Sequence, residues 1–242
     1  MTEPPTLQGA FNYRDLGGLR AGPGHVVRQG VLLRSDTLQA LTAEDVAVLV
    51  ERLGLELVVD LRRGMEAVQQ GRGPLADTPV CYLNAPLFEA PASDLTPRDQ
   101  SLAFYLMHIG SPTSQVATVV RIVCALAGRP VLVHCAAGKD RTGLVIALLL
   151  RLAGVDDAEI VADYLRSGPA MPRVIERFRT WPHYRAHMTT VPDEVYRAEE
   201  HTITGFLAAL DARYGGAEGW ARARGITDGE IARLRMITMC RT

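Results

Sequence analysis

Short apolar runs of strand length alternate with segments of helical period along the first two thirds of the chain. The strand-length runs are residues 56–62, 79–87 and 130–135. The segments of helical period are residues 42–53, 102–109, 113–127 and 142–153. This alternation predicts an α/β domain with a central, largely parallel sheet flanked by helices.

The two ends of the chain follow different patterns. Residues 25–34 place β-branched and apolar residues around a Gln-Gly pair, which predicts a short hairpin. Beyond about residue 156 the pattern is entirely helical. The helices predicted there are 156–167, 171–180, 192–214 and 227–238.

The composition is that of a globular protein without a strong charge bias. The 242 residues are 48% hydrophobic and the formal net charge is −1, so no basic surface predicts nucleic-acid binding. Four widely spaced cysteines form no C-x-x-C pair, which argues against a disulfide framework and a zinc site. The first residues do not resemble a signal peptide, and no apolar run approaches the ~20 residues of a membrane span. We therefore expect a cytoplasmic protein without stable membrane insertion, with secretion by another route left open.

The segment VHCAAGKDRTG, residues 133–143, combines a thiol with an anion-binding backbone. Cys135 ends the buried strand, and three small residues then let the backbone turn tightly before an apolar helix. The small residues are Ala136, Ala137 and Gly138. Successive amide N–H groups at a helix N-terminus favour a bound anion, and together with Arg141 they favour the thiolate form of cysteine. The sequence therefore predicts a phosphate cradle built around a nucleophilic Cys135.

Three further side chains are expected to serve this cradle. The planar guanidinium of Arg141 can hold two phosphoryl oxygens, and Thr142 can donate its hydroxyl to the sulfur or to the phosphate. Lys139, the only lysine among 26 basic residues, is expected to add a point charge at the rim. A nucleotide-binding Walker loop is disfavoured, because Val133 and Asp140 stand where that loop needs glycine and a hydroxyl residue.

The motif HCAAGKDRTG resembles the His-Cys-x5-Arg signature of protein tyrosine phosphatases, and more narrowly the loop of bacterial tyrosine and lipid phosphatases that contains Ala-Gly-Lys-Asp-Arg. Three further segments resemble other parts of the same family: NYRDLGG at 12–18, LLRSDTLQALT at 32–42 and VVDLRRGMEA at 58–67. The resemblance covers residues 10–165 well and the C-terminal third more loosely. We therefore expect residues 1–242 to form a single phosphatase domain, with an α/β catalytic core at 10–165 and a helical region at 166–242.

The resemblance implies a cysteine-dependent phosphomonoesterase that uses no metal or other cofactor and acts in two steps. Cys135 attacks phosphorus to give a phosphocysteine, and water then releases phosphate. One carboxyl group suits both proton transfers, as the acid in the first step and the base in the second. Asp140, within the cradle, is the favoured candidate, and Asp60, at the carboxyl end of its strand, is the second.

Other assignments of the aspartates stay open on the sequence alone. Asp60 is an equally good candidate for a salt bridge with a nearby arginine. Asp94 and Asp99 lie at about the place where other tyrosine phosphatases carry a mobile acid, but the Trp-Pro-Asp motif of those enzymes is absent.

Several residues are predicted to support the cradle without contacting substrate. His134 is expected to hydrogen-bond the loop backbone or to tune the thiol. Arg14, Asp15 and Arg34 are expected to order the cradle from beneath through paired charges. Residues 171–190 combine apolar side chains with four arginines, which fits a lid over the site or a docked helix with a solvated basic face.

The favoured function is that of a tyrosine phosphatase acting on a phosphorylated protein. Phosphoinositides and phosphoserine or phosphothreonine are further expected substrates, because Lys139 adds charge suited to anionic groups. The alternative is a catalytically inactive module that uses the cradle to bind a phosphorylated partner. Sulfur transfer and arsenate reduction are weaker alternatives, since they usually use further cysteines or a different loop.

Overall fold

Strands and helices alternate along the chain in the computed structural model, which describes residues 5–88, 95–126, 128–189 and 192–240. The strands within these ranges are β1 (Arg14–Asp15), β2 (His25–Val27), β3 (Leu32–Ser35), β4 (Leu57–Asp60), β5 (Cys81–Asn84), β6 (Val131–His134) and β7 (Thr238–Cys240).

The α-helices of the same ranges cover both faces of the sheet and most of the C-terminal region. They are α1 (Ala43–Ala47), α2 (Gly64–Gln70), α3 (Pro97–Gly110), α4 (Val116–Ala125), α5 (Asp140–Leu152), α6 (Asp157–Leu165), α7 (Met171–Thr180), α8 (Pro182–Met188), α9 (Glu200–Tyr214), α10 (Ala217–Ala223) and α11 (Asp228–Leu234). A π-helical turn, Val48–Arg52, continues α1. Of the helices described here, none has both the length and the apolar character needed to cross a bilayer.

A five-stranded sheet in the order β1-β3-β6-β4-β5 forms the centre of the fold. β3, β6, β4 and β5 run parallel, and β1 is antiparallel to β3 at one edge. In this register Ser35 of β3 and Asp60 of β4 both lie beside His134 of β6. The loop that follows His134 therefore leaves the sheet between the loops that follow Ser35 and Asp60. The arrangement confirms the predicted α/β class with a largely parallel sheet.

Successive residues of the central strand point to opposite faces of the sheet, and each face has its own apolar cluster. Val131 and Val133 pack into one cluster with α5, whose residues 144–150 are all buried. Leu132 packs into the other cluster, with Leu49 and neighbouring side chains. A strand buried on both faces has no polar side to alternate with, which explains its unbroken apolar sequence.

The predicted hairpin at residues 25–34 is wrong. β2 pairs antiparallel with β7, with Val26 opposite Met239, whereas β3 joins the central sheet. The local sequence does contain a turn, and Gly30 has a φ of +75°, but this turn passes the chain from one sheet to another. β7 also corrects the expectation of an entirely helical C-terminal region. The pairing joins segments far apart in sequence, so neither segment carries a local signal of it.

The helix predicted at 192–214 is shorter in the structure. A 3-10 turn at Asp193–Tyr196 comes first, and α9 begins only at Glu200. The carbonyl groups of Val195 and Arg197 accept hydrogen bonds from Lys139 Nζ, each at 3.0 Å. A buried side chain from another part of the chain therefore holds this segment out of the helix.

Leu132→Ala tests the packing of the central strand β6, because the Leu132 side chain is 0% exposed. We expect the free energy of unfolding to fall by about 2–5 kcal/mol, since the truncation leaves a cavity. Denaturant unfolding followed by circular dichroism measures the change. The control is Leu95→Ala, the same truncation at a residue that is 42% exposed, with an expected change within about 0.5 kcal/mol. Equal losses in the two variants would contradict the core position of Leu132.

Candidate active site

The loop between β6 and α5, residues 135–139, is fixed by hydrogen bonds to all five of its carbonyl groups. The donors are His134 Nδ1 to Cys135 (3.2 Å), Thr37 N to Ala136 (3.0 Å), Asn12 Nδ2 to Ala137 (3.0 Å), Arg34 Nη2 to Gly138 (2.8 Å) and Gly143 N to Lys139 (2.7 Å). Because the C=O and the following N–H of a trans peptide point in opposite directions, the loop amides are turned inward. The N–H of Gly138 donates to Cys135 Sγ at 3.2 Å, as this geometry requires. We infer that the other loop amides face the thiol in the same way and form a ring of donors around it.

Cys135 lies at the bottom of this ring and is 2% exposed. Ala136 and Ala137 form part of the wall above it, and both are buried. Thr142, in the first turn of α5, is also buried, and its Oγ1 has no hydrogen-bond partner among the described residues. An unsatisfied buried hydroxyl next to an anion-binding loop is available to a sulfur or phosphoryl oxygen.

Arg141 is held by a carboxylate that the sequence did not single out. Its Nη1 and Nη2 donate to Glu66 Oε2 and Oε1 at 2.8 and 3.3 Å. Burial alone would raise the pKa of Glu66, but the Arg141 guanidinium outweighs it and holds the pKa at about 2. Glu66 lies in the first turn of α2, whose first residues follow β4 at the same sheet edge. No residue type or spacing within α2 reveals that its partner is in the loop, which explains why the sequence missed it.

Asp60 is an ion-pair partner of Arg62 and is 0% exposed, so the second catalytic candidate of the sequence does not reach the cleft. Its carboxylate accepts hydrogen bonds from the Arg62 backbone and guanidinium, and from Tyr82 Oη at 2.7 Å. Burial alone would raise its pKa, but His134 and Arg62 beside it hold the pKa at about 2. A carboxyl group with these partners stays ionised and has no proton to give. The salt-bridge alternative for Asp60 is therefore the one that the structure favours.

His134 lies under the loop and is 2% exposed. Its Nδ1 donates to the Cys135 carbonyl group, and its Nε2 lies 3.7 Å from Asp60 Oδ2. Burial lowers the pKa of His134 to about 4, so the ring is neutral near pH 7. A neutral ring with its proton on Nδ1 fits the role of fixing the backbone of the nucleophile.

Lys139 is not at the rim, and the predicted contact with a phosphate is wrong. Its side chain is 0% exposed, and Nζ points away from the loop centre to the carbonyl groups of Val195 and Arg197. A third close partner is Asp140 Oδ1, at 2.8 Å. An ammonium group has three N–H donors, and three acceptors from different directions satisfy them. Lys139 thus fastens the loop to the segment before α9.

Asp140, the first residue of α5, is the carboxyl group of the loop that solvent reaches, with 32% of its side chain exposed. Its Oδ1 accepts a hydrogen bond from Ser101 Oγ at 2.7 Å and forms an ion pair with Lys139 Nζ at 2.8 Å. Asp99 instead accepts a bond from Thr96 at the start of α3. Asp94 lies outside the described residues. Asp140 therefore remains the best placed carboxyl group for proton transfer.

Beneath the loop, Arg34 and Arg14 share one buried carboxylate, Asp163 of α6. Arg34 Nη1 and Arg14 Nε lie 2.5 and 2.6 Å from its two oxygens. Burial alone would raise the pKa of Asp163, but the two guanidinium groups lower it. Arg34 also donates to the Gly138 carbonyl group, so the pair orders the loop from below.

Asp15 has a different place from the one predicted. Its two oxygens accept hydrogen bonds from the backbone N–H groups of Gly17 and Gly30, at 2.8 and 2.7 Å. These bonds fix the two turns that flank β2. The sequence placed Asp15 under the loop because Arg14 is its neighbour, but successive strand residues point to opposite faces.

The segment 171–190 contributes two helices, α7 and α8, that pack onto the wall of the loop. Ala136 and Ala137 share an apolar cluster with side chains of these helices: Met171, Val174, Ile175, Phe178 and Tyr184. Arg177 of α7 also pairs with the buried Asp36 at 3.3 Å and stacks 3.6 Å from the centre of the Phe11 ring. The two helices therefore pack against the two loop residues that follow the thiol.

Comparisons with known proteins identify the family to which the chain is similar. The model of the tyrosine phosphatase family matches residues 5–239. The chain is 33% identical over 275 aligned positions to the triple specificity protein phosphatase PtpB of Mycobacterium tuberculosis, with 96% of this chain and 98% of PtpB covered. It is also 33% identical to a tyrosine-protein phosphatase of Nostoc commune, with 84% of this chain and 72% of that protein covered. The solved structure of P. aeruginosa TpbA is 22% identical, with 72% of this chain and 96% of that chain covered and a TM-score of 0.37. The family model and the two relatives confirm the resemblance that the sequence predicted.

Gly138→Ala tests the shape of the loop. Gly138 has a φ of +69°, and an added Cβ would lie 2.6 Å from the Ser35 carbonyl oxygen. We expect a loss of more than about 1 kcal/mol in the free energy of unfolding and a large loss of affinity for inorganic phosphate, measured by calorimetry. The control is Gly154→Ala, which has a φ of +87° but no atom within 4 Å of the added Cβ. Unchanged phosphate affinity in Gly138→Ala would contradict the described loop.

Asp60→Asn tests the structural role of Asp60. Breaking its buried pair with Arg62 is expected to cost about 3–5 kcal/mol near pH 7. Because the folded pKa of about 2 lies below the ordinary value, this stabilisation is present above about pH 4 and disappears as the pH falls toward 2. Unfolding curves of both proteins between pH 7 and pH 3 measure the difference. A different outcome would assign a catalytic role to Asp60: an unchanged free energy of unfolding in Asp60→Asn, together with the loss of one limb of the plot of activity against pH.

Proposed function

The chain belongs to the tyrosine phosphatase family, and we propose that it hydrolyses phosphate monoesters through a phosphocysteine formed on Cys135. The observation that carries this proposal is the N–H of Gly138, which donates to Cys135 Sγ within a loop whose five carbonyl groups are all hydrogen-bonded. Donors that are already in place stabilise the developing charge of a phosphoryl group without rearrangement during the reaction.

In the first step Cys135 Sγ attacks phosphorus while the bond from phosphorus to the leaving oxygen breaks. The non-bridging oxygens occupy the amide ring, and the guanidinium of Arg141 provides a planar cationic partner for them. Glu66 fixes the plane of that guanidinium through two hydrogen bonds. The electron pair of the broken bond goes to the leaving oxygen, which takes a proton from a carboxyl group.

Asp140 is the residue that we assign to this proton transfer. Its side chain is 32% exposed at the loop, whereas Asp60 is 0% exposed and paired with Arg62. In the second step the same carboxylate takes a proton from the water that attacks the phosphocysteine. The sulfur leaves as a thiolate. The buried hydroxyl of Thr142, in the first turn of α5, has no hydrogen-bond partner among the described residues, and we expect it to donate to the sulfur or to phosphate.

The proposed substrates are phosphorylated proteins, with phosphotyrosine first. Cys135 is 2% exposed, so a phosphoryl group must reach it on an extended side chain, and a tyrosyl ester offers that length. PtpB, which matches nearly the whole chain, is named a triple specificity protein phosphatase, and this name supports a broad specificity here as well. The further substrates that we propose are phosphoserine, phosphothreonine and phosphoinositides. Lys139 no longer supports the phosphoinositide part, because its ammonium group is buried away from the loop centre.

We also propose that α7 and α8 act as a lid within a single phosphatase domain. They cover the loop wall at Ala136 and Ala137. Both ends of the covering segment are fastened near the loop, by Arg14 to Ser167 before α7 and by Lys139 to the Val195 and Arg197 carbonyl groups after α8. Since the helices pack on the loop residues next to the buried thiol, we expect substrate entry to require their movement.

Cys135→Ser tests the nucleophile. We expect hydrolysis of p-nitrophenyl phosphate to fall by at least about a thousandfold, because a serine hydroxyl is far less nucleophilic than a thiolate near pH 7. The matched control is Cys81→Ser, a substitution at an exposed cysteine, which should leave turnover unchanged. A chelator should also leave the wild-type rate unchanged. The same assay is then run on a phosphotyrosine peptide, a phosphoserine peptide and a soluble phosphoinositide.

Two outcomes separate this proposal from its alternatives. Full activity in Cys135→Ser would overturn the role of the cysteine. Tight binding of a phosphopeptide by the wild type without any release of phosphate would favour the inactive binding module.

A further inference from the structure

The buried face of α3 carries a hydroxyl group, that of Ser101, which donates to a residue of the catalytic loop. The members of this face recur at helical spacing and are all buried: Ser101, Phe104, Tyr105, His108 and Ile109. A buried hydroxyl needs a partner, and that of Ser101 donates to Asp140 Oδ1 at 2.7 Å. α3 packs against α5 and α9, so this donor is held by a helix and not by a mobile segment.

The two oxygens of Asp140 have different surroundings. Oδ1 accepts a hydrogen bond from the Ser101 hydroxyl at 2.7 Å and is ion-paired with the Lys139 ammonium group at 2.8 Å. Within the described part of the chain, no hydrogen bond reaches Oδ2. Lys139 Nζ also lies 3.4 Å from Ser101 Oγ, so the three side chains form one cluster. One oxygen of the carboxyl group is thus anchored, and the other is left for exchange with substrate or water.

We propose that Ser101 is a positioning residue for proton transfer, which holds Asp140 by Oδ1 and leaves Oδ2 to carry the reacting proton. This inference rests on the proposed function, because it takes Asp140 as the acid and base. Lys139 shares the task from the opposite side and ties the cluster to the backbone of Val195 and Arg197. The arrangement gives Lys139 a role that does not involve contact with phosphate.

The proton balance of the two steps follows from this geometry. In the first step the proton on Oδ2 passes to the leaving oxygen as the sulfur–phosphorus bond forms and the phosphorus–oxygen bond breaks. In the second step Oδ2 takes a proton from water as the oxygen–phosphorus bond forms and the sulfur departs. Throughout, Oδ1 only accepts hydrogen bonds, so Ser101 neither gains nor loses a proton.

Ser101→Ala is tested on a series of aryl phosphates with leaving groups from p-nitrophenol to phenol. A nitrophenolate leaves without a proton, whereas phenol needs one, so only a defect in proton transfer depends on the leaving group. We expect kcat/KM, which reports the step that breaks the bond to the leaving oxygen, to fall on the order of tenfold for phenyl phosphate and by less than about threefold for p-nitrophenyl phosphate. The matched control is Ser114→Ala, which removes a hydroxyl bonded to His108 Nδ1 at 2.8 Å, and it should show no dependence on the leaving group.

Asp140→Asn, alone and combined with Ser101→Ala, separates the possible failures. If Ser101 acts through Asp140, the serine substitution has no further effect once the carboxyl group is gone. A leaving-group dependence in Asp140→Asn but not in Ser101→Ala would overturn the positioning role and leave the proposed function intact. Absence of the dependence in Asp140→Asn would overturn the proposed acid, and with it the role of Ser101.

Discussion

The fold and the site both depend on the outward bonding of five consecutive carbonyl groups in residues 135–139. Their donors come from the N-terminal segment, from β3 and the loop after it, from the end of β6 and from α5. A parallel sheet is needed to bring these parts together, because it aligns the carboxyl ends of β3, β4 and β6 at one edge. With the carbonyl groups taken, the N–H groups of the same peptides are left to face the thiol, as that of Gly138 does. We propose that this backbone binds the phosphoryl group, in a chain whose formal net charge is −1.

Buried carboxylates supply the second layer of order around this ring. Asp163, Glu66 and Asp60 each hold one or two arginines, and the pKa of each carboxyl group is lowered despite its burial. An arginine fork can bond a carboxylate and a backbone carbonyl group at the same time, as Arg34 does with Asp163 and Gly138. Lys139 Nζ lies where oxygen atoms approach from different directions. This geometry suits an ammonium group better than a planar guanidinium group.

Much of the fold and the centre of the site could be predicted from the sequence, because those features have local patterns. The buried strand, the small residues after Cys135 and the apolar helix behind them are adjacent in the chain. What was wrong or missed depends on distant partners: the β2–β7 pairing, the direction of Lys139, and the contacts of Glu66, Asp163 and Ser101. A side chain's type limits what it can bind, but only the packing of remote elements decides which partner it meets.

The proposed function requires Cys135, within the amide ring, to take the phosphoryl group covalently during turnover. The direct measurement is mass spectrometry of the protein after acid quenching during hydrolysis of p-nitrophenyl phosphate, with the modified peptide sequenced. We expect the added mass of one phosphoryl group on the peptide that contains Cys135, with the group attached to the Cys135 sulfur. A phosphoryl group mapped to another residue, or turnover with no phosphorylated protein at any quench time, would contradict it.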